Sequence, residues 1–146
     1  MCASPNLPMI YSERSGEDKM IPAYAERELL FKTFARALFA ADMTELYRAV
    51  TPDFLWSYHD GVAVIKSLAN ADAIAAHLAE QKALFSEQRF HDVAYHHLPE
   101  TTFMSFRLTE RLRATGAQRE QRGIERYTFR DGRIATKDVY RKPIEV

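Results

Sequence analysis

Glu125, Tyr127 and Tyr58 are the residues of this sequence best suited to chemistry, because each falls in a row of alternating apolar side chains. Glu125, Tyr127 and Phe129 alternate with Arg126, Thr128 and Arg130, and in an extended chain the two sets point to opposite faces. Met104, Phe106, Leu108 and Glu110 form a second such row against Ser105, Arg107, Thr109 and Arg111. Phe54, Trp56 and Tyr58 form a third. A carboxyl group placed in an apolar hollow has its pKa raised by desolvation. Glu125 there would serve as a general acid, or as a base near neutral pH. Tyr58 across the same space would donate to an oxyanion. Together they suit proton transfer next to a carbonyl: isomerisation, aldol-type cyclisation or dehydration. Two blander readings stand beside this one. Glu125 can be the structural partner of Arg107 or Arg126, and the rows can simply fill a core. Two carboxylates weigh against the filled core, because a buried carboxylate requires a partner or an open cavity.

The elements that must position these rows follow from periodicity. Residues 1–22 hold Pro5, Pro8, Pro22 and Gly16 among polar residues and read as an irregular arm, followed by a single domain over 23–146. From about Ala23 to Ala41, Leu30, Phe31, Phe34, Leu38 and Ala41 recur at helical steps, with Arg27, Glu28, Lys32 and Arg36 elsewhere on the wheel. Asp42, with Glu45 three residues on, caps a short second helix that Pro52 should end. Phe54 to Asp60 alternates as a strand, Asp60-Gly61 is a turn, and Val62 to Ile65 reads as a short strand. Asn70 or Asp72 caps a third helix to about Phe85, with Ile74, Leu78 and Phe85 as its apolar stripe. Four strands follow, at about 89–97, 102–114, 119–129 and 133–141, the last two joined by the hairpin turn Asp131-Gly132. In the final strand Ile134, Thr136, Asp138 and Tyr140 are taken as inward.

Helices first and long antiparallel strands afterwards make an α+β fold: a curved, cone-shaped, antiparallel or mixed sheet wrapped over three N-terminal helices. The lining expected for the hollow is Trp56, Tyr58, Met104, Phe106, Leu108, Glu110, Glu125, Tyr127 and Tyr140, closed by Phe34. One of His96 and His97 also faces it, and His97 is taken as the candidate. A mostly apolar lining with a few polar groups is what a small hydrophobic ligand requires.

Composition narrows the classes. Twenty basic and twenty acidic side chains cancel, which gives no electrostatic case for nucleic acid or for an anionic membrane. The single cysteine cannot form an internal disulfide, and residues 1–11 lack the pattern of a signal peptide. No apolar run approaches the ~20 residues of a membrane span. A cytoplasmic location is the default. His91, Asp92, His96 and His97 invite a metal reading, but adjacent strand residues diverge, so no metal and no other cofactor is expected.

The order of elements resembles the nuclear transport factor 2-like superfamily, with its SnoaL-like polyketide cyclases and ketosteroid isomerases, over about Glu26 to Arg141. The landmarks are Phe34-Ala35-Arg36-Ala37-Leu38 with Asp42-Met43-Thr44-Glu45-Leu46, then Thr51-Pro52-Asp53-Phe54, Asp72-Ala73-Ile74 and Phe129-Arg130-Asp131-Gly132-Arg133-Ile134. The resemblance implies the cone-shaped α+β barrel, and it implies a homodimer through the outer sheet face. Against the isomerases, the position of the first-helix tyrosine is held by Phe34 and that of the base by Tyr58, while an acid, Glu125, stands where the second oxyanion donor would be. One role of three survives, so the resemblance does not extend to ketosteroid isomerisation. Two classes result: a small isomerase, cyclase or dehydratase with Glu125 and Tyr58 as catalytic residues, or a non-catalytic dimeric module that binds a ligand or a protein.

Overall fold

The computed structural model describes residues 21–143, so the expected arm lies outside the described residues apart from Ile21 and Pro22. Helix α1 spans Tyr24–Ala40. The Glu26 carboxylate accepts the Ala23 N–H at 2.8 Å, and Ala41 closes the other end in the left-handed conformation. Its buried face is Arg27, Phe31, Phe34 and Ala37. This corrects the expected face at two points: Arg27 is inside and Ala41 is exposed. The Arg27 guanidinium takes the carbonyls of Leu98, Pro99 and Thr101 and the Thr102 hydroxyl, so it clamps a strand turn onto the helix.

Asp42 caps α2 (Met43–Ala49), accepting from the Glu45 N–H at 3.1 Å. Strand β1 (Val50–Asp60) starts earlier than its alternation suggested, and Pro52 falls in the irregular stretch before regular pairing resumes at Leu55. Strand β2 (Ala63–Leu68) pairs back on β1 across the Gly61 turn. The Asn70 side chain caps α3 (Ala71–Leu84), whose buried residues are Ile74 and His77. Strands β3 (Phe85–His97), β4 (Thr101–Leu112), β5 (Gln118–Arg130) and β6 (Arg133–Pro143) complete the described residues.

The six strands form one sheet in the order β2-β1-β6-β5-β4-β3. Only the β1–β6 pair is parallel; the rest are antiparallel, so the sheet is mixed. It wraps α1: Phe34 meets Phe54 of β1, and Phe31 meets Tyr127 of β5 and Tyr95 of β3. The edges β2 and β3 do not meet, so among the described residues the barrel expected from the resemblance is a cone left open along one side.

Register turns this sheet into a map of its inner face, since residues directly opposite one another share a side. One rung runs Trp56, Lys137, Tyr127, Thr102, His97. The next runs Tyr58, Val139, Glu125, Met104, Tyr95. A third carries Arg141, Gly123 and Phe106. Gly123 is a glycine for steric reasons: a Cβ there would lie 2.2 Å from Cζ of Phe106, whose ring rests on the bare backbone.

The last strand corrects the sequence phase. Phe129 pairs with Ile134 and Thr128 with Thr136, so Ala135 is a bulge. One extra residue flips every side chain beyond it. Ile134 is inward as expected, but Thr136, Asp138 and Tyr140 then face out, and Lys137, Val139 and Arg141 face in.

Candidate functional site

Two of the polar clusters on the inner face surround the residues singled out by the sequence. The first centres on Glu125, 2% exposed, which accepts a short hydrogen bond from the Tyr127 hydroxyl. The cation beside it is neither Arg107 nor Arg126 but Lys137, whose Nζ lies 3.7 Å from the carboxylate. Lys137 is itself 5% exposed, and its ammonium sits 4.0 Å from the centre of the Trp56 ring and 5.2 Å from that of Phe34. Burial pulls the lysine pKa down while Glu125 pulls it back up. Burial first, then the Glu125 charge, pushes the Tyr127 hydroxyl well above its ordinary range. Arg107 instead pairs with Glu120 and Asp92, and Arg126 with Asp138, all on the outer face.

The second cluster centres on Tyr58. Its hydroxyl lies 3.0 Å from Nε2 of His77, and Nδ1 of the same ring lies 3.0 Å from Nζ of Lys66. Burial pushes the Tyr58 hydroxyl up to about 12, against the pull of Arg141. Burial, reinforced by the charges of Lys66, Lys137 and Arg141, brings His77 down to about 4, so its ring is neutral at ordinary pH. The Trp56 ring stacks on Tyr58 and meets His77 edge-on. Its indole N–H approaches the Tyr58 oxygen closely enough to favour the phenolate, yet without the geometry of a hydrogen bond, so Nε1 is buried and unpartnered.

Of the expected lining, Phe34, Trp56, Tyr58, Met104, Phe106, Leu108, Glu110, Glu125 and Tyr127 do share the interior. Glu110 belongs to a separate end of it, held by Gln88, Arg119 and Gln121. His97 also faces in, bonded to Thr102 and stacked on Tyr24, while His96 faces out to Ser105. Tyr140 does not join them: it lies on the outer face, stacked on His59. Lys137 and His77 were missed, the first because the bulge hid its phase. The signal for His77 was present, since it follows Ile74 by one helical step.

The interior is also fuller than expected. One cavity, of about 530 Å³, lies on the outer face between Arg107, Ile124 and Tyr140, and another of about 340 Å³ lies beside Leu29 and Gly132. Around Glu125 the buried side chains of Phe34, Trp56, Tyr127 and Lys137 crowd together. Along its rung, however, only Met104 stands between Glu125 and Tyr95, which is 38% exposed and whose hydroxyl feels the Glu125 charge. Among the described residues no cluster of three metal-ligating side chains occurs, and no helix is long and apolar enough to cross a membrane.

The profile of the SnoaL-like domain family matches residues 31–137. No curated protein matches the chain. Among solved structures, an NTF2-like protein from Burkholderia xenovorans LB400 superposes with a TM-score of 0.71 at 17% identity, covering 82% of this chain and 92% of that one. A polyketide cyclase candidate from Xanthomonas campestris pv. campestris gives 0.64 at 13% identity, covering 80% and 90%. A protein of ketosteroid isomerase-like fold from Catenulispora acidiphila DSM 44928, in complex with trimethylamine, gives 0.61 at 11% identity, covering 76% and 83%. Likeness at these identities concerns the fold.

Proposed function

The chain belongs to the SnoaL-like domain family, and from that premise we propose that its inner sheet face acts on a small hydrophobic carbonyl compound by acid–base proton transfer, in the manner of an isomerase, cyclase or dehydratase. The observation that carries this reading is the meeting of a buried carboxylate, a buried phenol and a largely buried second phenol on one face of the sheet, with β6 between the two strands that carry them. Glu125 is hydrogen-bonded by Tyr127 and charge-matched by Lys137, and Tyr58 shares its rung one strand beyond Val139. Glu125 takes and returns the proton, and Tyr58 stabilises the oxygen that gains charge. The substrate reaches Glu125 along the Tyr95 and Met104 side, where a flexible methionine is the covering group.

The packed interior favours a second reading, a non-catalytic module that binds a hydrophobic ligand or a partner protein. A thermal-shift screen over aromatic polyketide-like and steroid-like ketones separates the two, followed by α-hydrogen exchange of any binder in D₂O. The catalytic reading expects a raised melting temperature and exchange that Glu125→Gln abolishes. Binding without exchange leaves the module; no binder among these ketones removes the catalytic reading. The expected homodimer belongs to the same proposal. Half-exposed Ile124 and Tyr140 beside the outer cavity support it, and sedimentation equilibrium tests it.

A further inference from the structure

Among the described residues three donors around the Tyr58 ring have no hydrogen-bond acceptor. Lys66 Nζ lies 3.0 Å from His77 Nδ1 and 3.3 Å from a Glu80 oxygen. An ammonium offers three protons and no lone pair, so Nδ1 must be the acceptor of that contact. A neutral imidazole has one proton, which is therefore on Nε2. Nε2–H points at the Tyr58 oxygen 3.0 Å away, and the phenol accepts. The hydroxyl proton of Tyr58 is left without an acceptor among the described residues. The buried indole N–H of Trp56 is also unpartnered. So is the buried Nε of Arg141, whose guanidinium carbon lies 5.4 Å from the centre of the Tyr58 ring and 5.8 Å from that of Phe106.

A buried donor without an acceptor costs about 1–3 kcal/mol. The same sheet face satisfies Glu110 three times over, so three unmet donors beside one ring mark a place where an acceptor fits. The charges agree with this. Lys66, Lys137 and Arg141 act on His77 from β2 and β6, and only Glu80 of α3 acts in the opposite sense. Lys66 has Glu80 and Lys137 has Glu125, but Arg141 has no carboxylate partner among the described residues.

Building on the reading of the cone as a small-molecule site, we propose that Tyr58 O–H and Trp56 Nε1–H form an oxyanion-binding pair, positioned by a Lys66-to-His77-to-Tyr58 relay and completed by the Arg141 charge. Its ligand is the anionic oxygen of a planar compound, a carboxylate or an enolate. Lys66 and His77 are positioning residues: they touch no ligand, and they turn the Tyr58 proton towards it.

Calorimetry with 2-naphthoate and with neutral 2-acetylnaphthalene tests the ligand class. The carboxylate is expected to bind at least about tenfold tighter, as a hydrogen bond to a charged acceptor implies. Tyr58→Phe and Trp56→Phe each reduce that preference. ¹⁵N spectra of His77 in the unliganded wild-type chain test the relay without any ligand. The proton is expected on Nε2, to redistribute in Lys66→Met and to return in Lys66→Arg. Equal affinity for the two naphthalenes, or a proton on Nδ1, overturns this inference and leaves the acid–base reading standing. Binding of neither compound, with ketones also silent in the thermal screen, overturns both.

Discussion

The Glu125 cluster and the Tyr58 cluster lie one strand apart on one face of one sheet, yet they solve burial in opposite ways. Around Glu125 the account is closed: the carboxylate accepts from the Tyr127 hydroxyl and faces the Lys137 charge, and the lysine ammonium lies over the rings of Trp56 and Phe34. Around Tyr58 it is open: among the described residues Trp56 and Arg141 keep unmet donors and the Arg141 cation has no anion. A closed cluster holds its geometry without help and makes the fold depend on it. An open one weakens the fold slightly and gains when an acceptor arrives. On the proposed reading the first cluster carries stability and the second recognition, and single substitutions can pull the two apart.

The largest effect is expected at Lys137. Lys137→Met leaves Glu125 as a buried charge without its cation, which costs about 3–5 kcal/mol. Pairing it with Glu125→Gln removes both charges and should recover most of the loss. Urea unfolding of the two single variants and the double one measures the coupling. A loss below about 1 kcal/mol in Lys137→Met would mean that the first cluster is open too. Next comes the wall between the clusters. Gly123→Ala drives a methyl group into the Phe106 ring and is expected to cost about 1–3 kcal/mol by overpacking. In a Phe106→Leu background that penalty should shrink, because the ring that the methyl meets is gone.

How much of this was legible in the sequence differs between the clusters for a physical reason. Strand alternation placed Glu125, Tyr127, Met104, Phe106 and Trp56 together, because period two survives as long as a strand is regular. It failed at Lys137, since the bulge at Ala135 adds one residue and nothing in Ile134-Ala135-Thr136 announces it. The same bulge sent Tyr140 to the outer face and brought Arg141 inside. Helix phase held for Phe31, Phe34 and Ile74. Arg27 and His77 sit one turn from those residues on the same faces, and residue type alone misplaced Arg27 outside. The hollow was overestimated because volume cannot be read from a pattern: a lysine stem and a phenylalanine lying over a glycine fill space that alternation leaves blank.

A smaller effect belongs to His77. Its folded pKa of about 4 lies below the unfolded value of about 6.5. Between those limits the unfolded chain binds a proton that the folded chain refuses, so stability falls as pH drops from about 6.5 towards 4. The loss should be on the order of 2 kcal/mol. Carboxylates titrate in the same window, so the measurement is the difference between wild type and His77→Asn across it. Parallel curves would mean that His77 is not held neutral by Lys66, Lys137 and Arg141.

The smallest stability change is expected at Tyr58, and it is the sharpest test of the comparison. Tyr58→Phe removes a hydroxyl that finds no acceptor among the described residues and accepts one bond from His77. The fold loses that single bond and leaves the Nε2–H unmet, but it also sheds the unmet hydroxyl proton, so the net cost is about 1 kcal/mol or less. The Trp56 ring keeps its stacking partner, so packing is unchanged. Binding should respond out of proportion, because the lost proton is the one aimed at the ligand. Urea unfolding and naphthoate calorimetry on the same protein compare the two losses directly. A variant that unfolds early and binds as before would move Tyr58 into the closed cluster, and the division between a structural half and a recognising half of this face would fall with it.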